Sequence, residues 1–142
     1  MQNPATAVSG ATVLLVDDNT AFRDITAIAL TSLGYSVQAT GSVDAALAAV
    51  SDNSKFRLLM TDVVLAKMNG GELAGQVRRM RPGMKVLFCS GYPASSLARQ
   101  GIDITSGEFL MKPISMGALA AKMTALLGEP GAGEPALNPN RR

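Results

Sequence analysis

The chain is 142 residues long, with 47% apolar, 17% charged and 4% aromatic residues and no tryptophan. That is enough aliphatic sequence for one buried core, which excludes a wholly disordered chain and a large multidomain enzyme. Thirteen Lys and Arg against eleven Asp and Glu leave a charge of +2, too small a surplus to point to nucleic acid or an anionic membrane.

Two absences narrow the chemistry. The single cysteine, Cys89, permits no internal disulfide and is read as an inert buried thiol. The chain has no histidine, which excludes a Ser-His-Asp or Cys-His nucleophile, a His-ligated zinc site and a phosphohistidine carried on this chain. No apolar run approaches the ~18 residues of a membrane span. Met1-Gln2-Asn3-Pro4 lacks the basic start and apolar stretch of a signal peptide. A cytoplasmic protein is expected.

Short apolar runs alternate with amphipathic stretches five times. Thr12-Val13-Leu14-Leu15-Val16 is a first strand that stops at Asp17-Asp18-Asn19. Thr20 is the expected N-cap of a helix to about Leu33, with Phe22, Ile25, Ala29 and Leu33 on one stripe and Gly34 at its end. Tyr35 to Ala39 reads as a second strand, and Ser42 caps a helix facing inward through Val43, Ala46, Leu47 and Val50. Leu58-Leu59-Met60-Thr61 is a third strand ending at Asp62, followed by a helix from about Glu72 to Met80 that turns Leu73 and Val77 inward before Pro82-Gly83.

The fourth strand, Lys85-Val86-Leu87-Phe88-Cys89, ends at Ser90-Gly91. A short, marginal helix from Pro93 to Gln100 precedes a fifth strand, Phe109-Leu110-Met111, ending at Lys112-Pro113. The last helix, Ser115 to Leu127, buries Leu119, Met123 and Leu126. Arg78, Arg79 and Arg81 read as a solvated helix face, and the methionines as core filler. Residues 1–11 are expected to be a flexible N-terminus, 12–127 the domain and 128–142 a disordered tail rich in Pro, Gly and Asn. Met1 and the trailing tail fit a stand-alone product slightly better than a piece of a longer kinase, and both readings stay open.

Strands that read as unbroken apolar runs are buried on both faces, which with helices between them implies a parallel sheet covered on both sides. Right-handed crossovers give an α/β, doubly wound, flavodoxin-like (βα)5 fold with a five-stranded sheet in the order 2-1-3-4-5. Such sheets bind ligands beyond the carboxyl ends of their strands. That rim carries Asp17 and Asp18, Asp62, Ser90 and Lys112. Neighbouring strands lie ~4.8 Å apart, so the three carboxylates share one pocket, where a hard dication, Mg²⁺ or Mn²⁺, offsets their repulsion. A carboxylate beside such a metal is a nucleophile toward phosphorus, Lys112 supplies a cation for a phosphoryl oxygen, and Ser90 supplies a hydroxyl. Without histidine on the chain, the phosphoryl donor is another molecule or domain.

These residues resemble the receiver domain of bacterial two-component response regulators. The likeness rests on Val13-Leu14-Leu15-Val16-Asp17-Asp18, Met60-Thr61-Asp62-Val63-Val64 with Met68-Asn69-Gly70, Val86-Leu87-Phe88-Cys89-Ser90-Gly91-Tyr92, and Phe109-Leu110-Met111-Lys112-Pro113. It covers about residues 12–127. The resemblance implies that Asp62 accepts the phosphoryl group, that Asp17, Asp18 and the Val64 carbonyl join it in binding Mg²⁺, and that Ser90 and Phe109 are the switch pair. It also implies a cis Lys112-Pro113 bond, and a histidine kinase, a histidine phosphotransfer protein, or both, as partners, with no direct contact to nucleic acid or membrane. Such a module is not an enzyme, assisting only its own phosphorylation and dephosphorylation.

Ala66 stands where the family generally has Pro, which predicts a more mobile loop. The Ser-Gly-Tyr run and the Arg-Pro-Gly-Met-Lys lead-in look most like receivers of hybrid histidine kinases. Singly, each rim residue is also an ordinary turn, cap or surface residue. The rival of another class is a haloacid-dehalogenase-like phosphatase, whose Asp-x-Asp-x-Thr start Asp17-Asp18-Asn19-Thr20 matches only in part.

Overall fold

The computed structural model describes residues 11–128. Its elements are β1 (Val13–Val16), α1 (Thr20–Ser32), β2 (Val37–Thr40), α2 (Val43–Asp52), β3 (Leu58–Asp62), α3 (Gly70–Met80), β4 (Lys85–Ser90), α4 (Ala94–Arg99), β5 (Glu108–Met111) and α5 (Met116–Leu127). The sheet runs β2-β1-β3-β4-β5 with every pair parallel, as the apolar runs predict. Most of the expected flexible N-terminus and disordered tail lies outside the described residues. Ala11 and Gly128, assigned to them, belong to the packed domain. Ala11 is buried and its carbonyl accepts from the Asn53 side chain, while the Gly128 carbonyl accepts from the Tyr35 hydroxyl.

Strand alternation divides the core in two. Leu14, Val16, Leu59, Val86 and Phe88 face α2, α3 and α4, whereas Val13, Leu15, Leu58, Met60, Leu87 and Cys89 face α1 and α5. Each fully buried leucine contributes roughly 1.5–3 kcal/mol by leaving water. Only the inner strands are buried from both sides. The edge strands β2 and β5 are mostly half-exposed because each has one neighbour and incomplete helix cover.

The helix starts follow their caps. Asn19, not Thr20, caps α1: it is extended, its side-chain oxygen accepts the Phe22 N–H, and Thr20 is already helical. The reason lies one step back, where the Asp17 carboxylate accepts the Asn19 N–H and fixes that residue at the strand end. Asn69 and Glu72 form a reciprocal capping box that starts α3 at Gly70, two residues earlier than expected. At the other end of α1, Gly34 has φ 103°, and the Gly34 and Tyr35 N–H groups return to the Thr31 and Leu30 carbonyls. That is a Schellman closure, which needs the left-handed residue that glycine supplies.

Several expected faces are rotated. In α1 the buried residues are Thr26, Ala27 and Leu30, while Ile25 is 67% exposed. The small Thr26 and Ala27 let the helix lie close to the sheet, where a stripe led by Ile25 would hold it away. In α5, Leu127 rather than Leu126 is buried beside Leu119 and Met123. The methionines split: Met60, Met84 and Met123 are buried, and Met80, Met111 and Met116 are exposed.

The arginine run is not a solvated face either. Arg78 donates to the Met84 carbonyl, and Arg81, the C-cap of α3, donates to the Val50 and Asn53 carbonyls at the end of α2. Arg79 alone of the three is exposed. Replacing Arg81 orphans two carbonyls, so Arg81→Ala is expected to lower stability by about 1–3 kcal/mol, and Arg79→Ala by less than ~0.5 kcal/mol. Urea denaturation of the two variants checks the ordering, and equal losses contradict it.

Candidate functional site

β1 and β3 are in register with Val16 opposite Thr61, so Asp17 and Asp62 leave the sheet side by side. Both continue the alternation that faces α1 and α5. One carboxylate oxygen each from Asp17, Asp18 and Asp62 lies within 4.8 Å of the others. Their settings differ: Asp17 is fully buried, Asp62 half-buried and Asp18 exposed at the mouth.

Lys112 reaches into this cluster from the end of β5, where its N–H donates to the Ser90 carbonyl. Its Nζ lies 2.9 Å from Asp17 Oδ2 and 3.4 Å from Asp62 Oδ1. The Lys112-Pro113 bond is cis, as the resemblance implies. Burial works against the ammonium, but the Asp17 hydrogen bond and the Asp62 and Asp17 charges outweigh it and hold Lys112 above its ordinary 10.5. Asp62 is pushed above its ordinary 3.8, first by burial and then by Asp17, against the opposing pull of Lys112. One ammonium, paired with Asp17 and Asp62, thus stands against a cluster of three carboxylates and leaves the pocket with an excess of negative charge. An all-oxygen donor set of that charge fits a hard dication.

The loop after β3 folds back beneath the cluster. The Gly70 N–H donates to the Val63 carbonyl, and a Cβ on Gly70 would lie 2.5 Å from the Asp62 carbonyl oxygen. Only glycine lets the start of α3 come this close to the Asp62 backbone.

Ser90 sits at the same rim on the alternate face of β4, with Phe88 and the α2–α4 core. It is buried, and its Oγ accepts the Tyr92 N–H at 2.9 Å. Phe109, half-buried on β5, packs into that same core and lies opposite Phe88. The acidic cluster and Lys112 therefore converge on one face, and Ser90 and Phe109 share the other. Val64 and Tyr92 are both exposed. Cys89 pairs with Asp62 across β3–β4, and its burial pushes the thiol up to about 12, an inert group as expected.

Three further residues shape the site. Asn19 donates its N–H to Asp17 Oδ1, Arg23 donates to the Asp17 carbonyl at 2.8 Å, and the Phe22 ring lies 4.0 Å from the Lys112 ammonium. Asn19 carries a local signal, a cap-type residue directly after the strand. Nothing in the spacing of Phe22 or Arg23 points to Lys112 or Asp17, which are close only in the folded chain.

A doubly wound parallel sheet with three carboxylates and a lysine at its carboxyl rim belongs to the open α/β class that binds ligands at that rim. The family model of the response regulator receiver domain matches residues 13–124. The chain belongs to that family, the phosphoacceptor signalling module of two-component systems. It is 36% identical over 125 residues to the sensor kinase CckA of Brucella abortus (strain 2308), a match covering 87% of this chain and 13% of that protein. Regulatory proteins at 30–31% identity are likewise matched over less than half their length.

Among solved structures, the CheY-like receiver domain protein of Methanospirillum hungatei JF-1 matches with a TM-score of 0.71 and 31% identity, over 81% of this chain and 91% of that one. The receiver domain of the hybrid histidine kinase CckA matches with 0.70 and 29%, over 82% and 98%. The two CckA likenesses agree with the expected hybrid-kinase resemblance. Neither the family match nor these relatives carry the haloacid-dehalogenase-like alternative. No helix among the described residues is long and apolar enough to cross a membrane.

The raised Asp62 pKa fixes the sign of a pH effect. The unfolded chain releases this proton near the ordinary 3.8 and the folded chain releases it later. Between those points the folded state binds more protons, so its stability falls as pH rises. Asp62→Asn is therefore expected to be more stable than wild type at neutral pH in metal-free buffer, with the advantage fading as pH falls below the ordinary carboxyl range. Urea midpoints at a series of pH values read this, and a variant no more stable at neutral pH contradicts it.

Proposed function

We propose that Asp62 accepts a phosphoryl group from a phosphohistidine on a partner, a histidine kinase, a histidine phosphotransfer protein, or both. The observation that carries this reading is the convergence of the Asp17, Asp18 and Asp62 carboxylates within 4.8 Å of one another, with the Lys112 ammonium paired to Asp17 and Asp62. Asp17, Asp18 and Asp62 with the Val64 carbonyl are the residues that would hold Mg²⁺ or Mn²⁺, whose chemistry there is to neutralise charge between carboxylate and phosphoryl oxygens.

In the transfer, an Asp62 carboxylate oxygen forms a bond to phosphorus as the bond from phosphorus to the partner's imidazole nitrogen breaks. The Lys112 ammonium, already within reach of Asp62, pairs with a phosphoryl oxygen. Ser90 turns its hydroxyl from the Tyr92 N–H toward the same group, and Phe109 answers on the shared face of β4 and β5. The half-exposed face around β5, together with α4 and α5, is the docking surface this switch alters.

Val64 and Tyr92, exposed beside the pocket, govern water access and so the lifetime of the phosphoryl group. Ala66 gives the adjoining loop more freedom than Pro does, by ~0.4–1 kcal/mol in the unfolded chain. The module retains the group it accepts and assists only its own phosphorylation and dephosphorylation. A cytoplasmic setting, a domain over residues 11–128 and action through protein partners rather than nucleic acid or membrane complete the reading. The CckA likeness supports a place in a phosphorelay of the hybrid-kinase kind.

Acetyl phosphate with Mg²⁺, followed by intact mass measurement, is expected to show one added phosphoryl group on the wild type and none on Asp62→Asn. Lys112→Ala is expected to slow uptake by roughly two orders of magnitude. An Asp62→Asn chain that gains the group as readily as wild type overturns the assignment. Beryllium fluoride with Mg²⁺ is expected to move the NMR signals of Ser90 and Phe109, and signals unmoved at both remove them as the switch pair.

A further inference from the structure

We infer that Phe22 is the positioning residue of Lys112: its ring face holds the ammonium between Asp17 and Asp62 and thereby sets how fast Asp62 takes up phosphate. The inference rests on the proposed function for its kinetic consequence, and on geometry alone for the contact.

The Lys112 Nζ lies 4.0 Å from the centre of the Phe22 ring, inside the range where an aromatic face attracts a cation. The ammonium has three N–H donors. One is committed to Asp17 Oδ2, and the Asp62 carboxylate lies within ion-pair reach at 3.4 Å. The ring meets the ammonium without offering it a hydrogen-bond acceptor, so it holds the charge without competing for the donors aimed at the carboxylates. A water in its place would draw one of them away.

The ring is itself held in place by a closed circuit. Asp17 Oδ1 accepts the Asn19 N–H, and Asn19 Oδ1 accepts the Phe22 N–H at the first turn of α1. The Phe22 ring meets Lys112, and Lys112 returns to Asp17 Oδ2. The helix cap therefore registers the ring against the same carboxylate that anchors the lysine. The ring also lines a groove of about 260 Å³ between α1 and the start of α5, with Ile25, Ala29, Pro113 and Met116. Phe22 is half-buried and outside both core clusters, so it can be exchanged without repacking the sheet.

An aromatic role and plain apolar cover are separated by Phe22→Leu, which keeps an apolar side chain and loses the ring, and Phe22→Trp, which keeps the ring. With acetyl phosphate and Mg²⁺, Phe22→Leu is expected to be phosphorylated about threefold to tenfold more slowly than wild type, and Phe22→Trp within about twofold of it. Independently of any chemistry, the Lys112 ε-methylene protons are expected upfield in wild type and Phe22→Trp through the ring current, and at ordinary lysine positions in Phe22→Leu.

Equal rates for Phe22→Leu and wild type overturn the positioning role, as does an equal slowing in Leu and Trp. Ordinary lysine shifts in the wild type overturn the contact. A wild type that takes up no phosphoryl group defeats the proposed function and with it the kinetic role, while upfield Lys112 protons in that same sample still establish the ring contact.

Discussion

Negative charge in excess of its local cation is the constraint on which this domain turns. Parallel pairing of β1 with β3 sets Asp17 beside Asp62, and the fold answers with a single ammonium carried in from β5. Like charges so close, in a partly buried place, cost free energy that only an added cation or a lost proton relieves. Burial and this imbalance together raise the Asp62 pKa, and the imbalance fits the pocket to a dication. The stability sacrificed at this rim is supplied by the two aliphatic cores behind it.

The sheet divides the labour between its faces. Asp17, Asp62 and Lys112 belong to the side covered by α1 and α5, whereas Ser90 and Phe109 belong to the side of α2, α3 and α4. Ser90 and Lys112 are joined across the strand ends by a backbone hydrogen bond. A change of charge on one face thus has a short covalent and hydrogen-bonded route to an aromatic ring on the other.

Much of this was legible in the sequence because it depends on local signals. Unbroken runs such as Leu58-Leu59-Met60 specify strands buried on both sides, and acidic or hydroxyl residues directly after them mark the carboxyl rim. The four charged residues at the rim followed from those two facts, and the strand order from right-handed crossovers between parallel strands. What was not legible depends on how finished elements meet. Asn19 displaced Thr20 as cap because the Asp17 carboxylate fixes its N–H. Ile25 lost its place in the core because Thr26 and Ala27 allow a closer helix. Arg78 and Arg81 read as solvent-facing charges because their carbonyl partners are on other segments or beyond the helix end.

Arg81 also gives the domain a polarity of construction. Its guanidinium fastens the end of α3 to the end of α2, and nearby the Asn53 side chain reaches the Ala11 carbonyl while Arg57 and Leu58 donate to Thr12. The pole remote from the acidic cluster is thereby stitched from four separate segments, like the fixed end of a tuning fork. These bonds brace the foundation from which the prongs spring, far from the charge gathered at their tips.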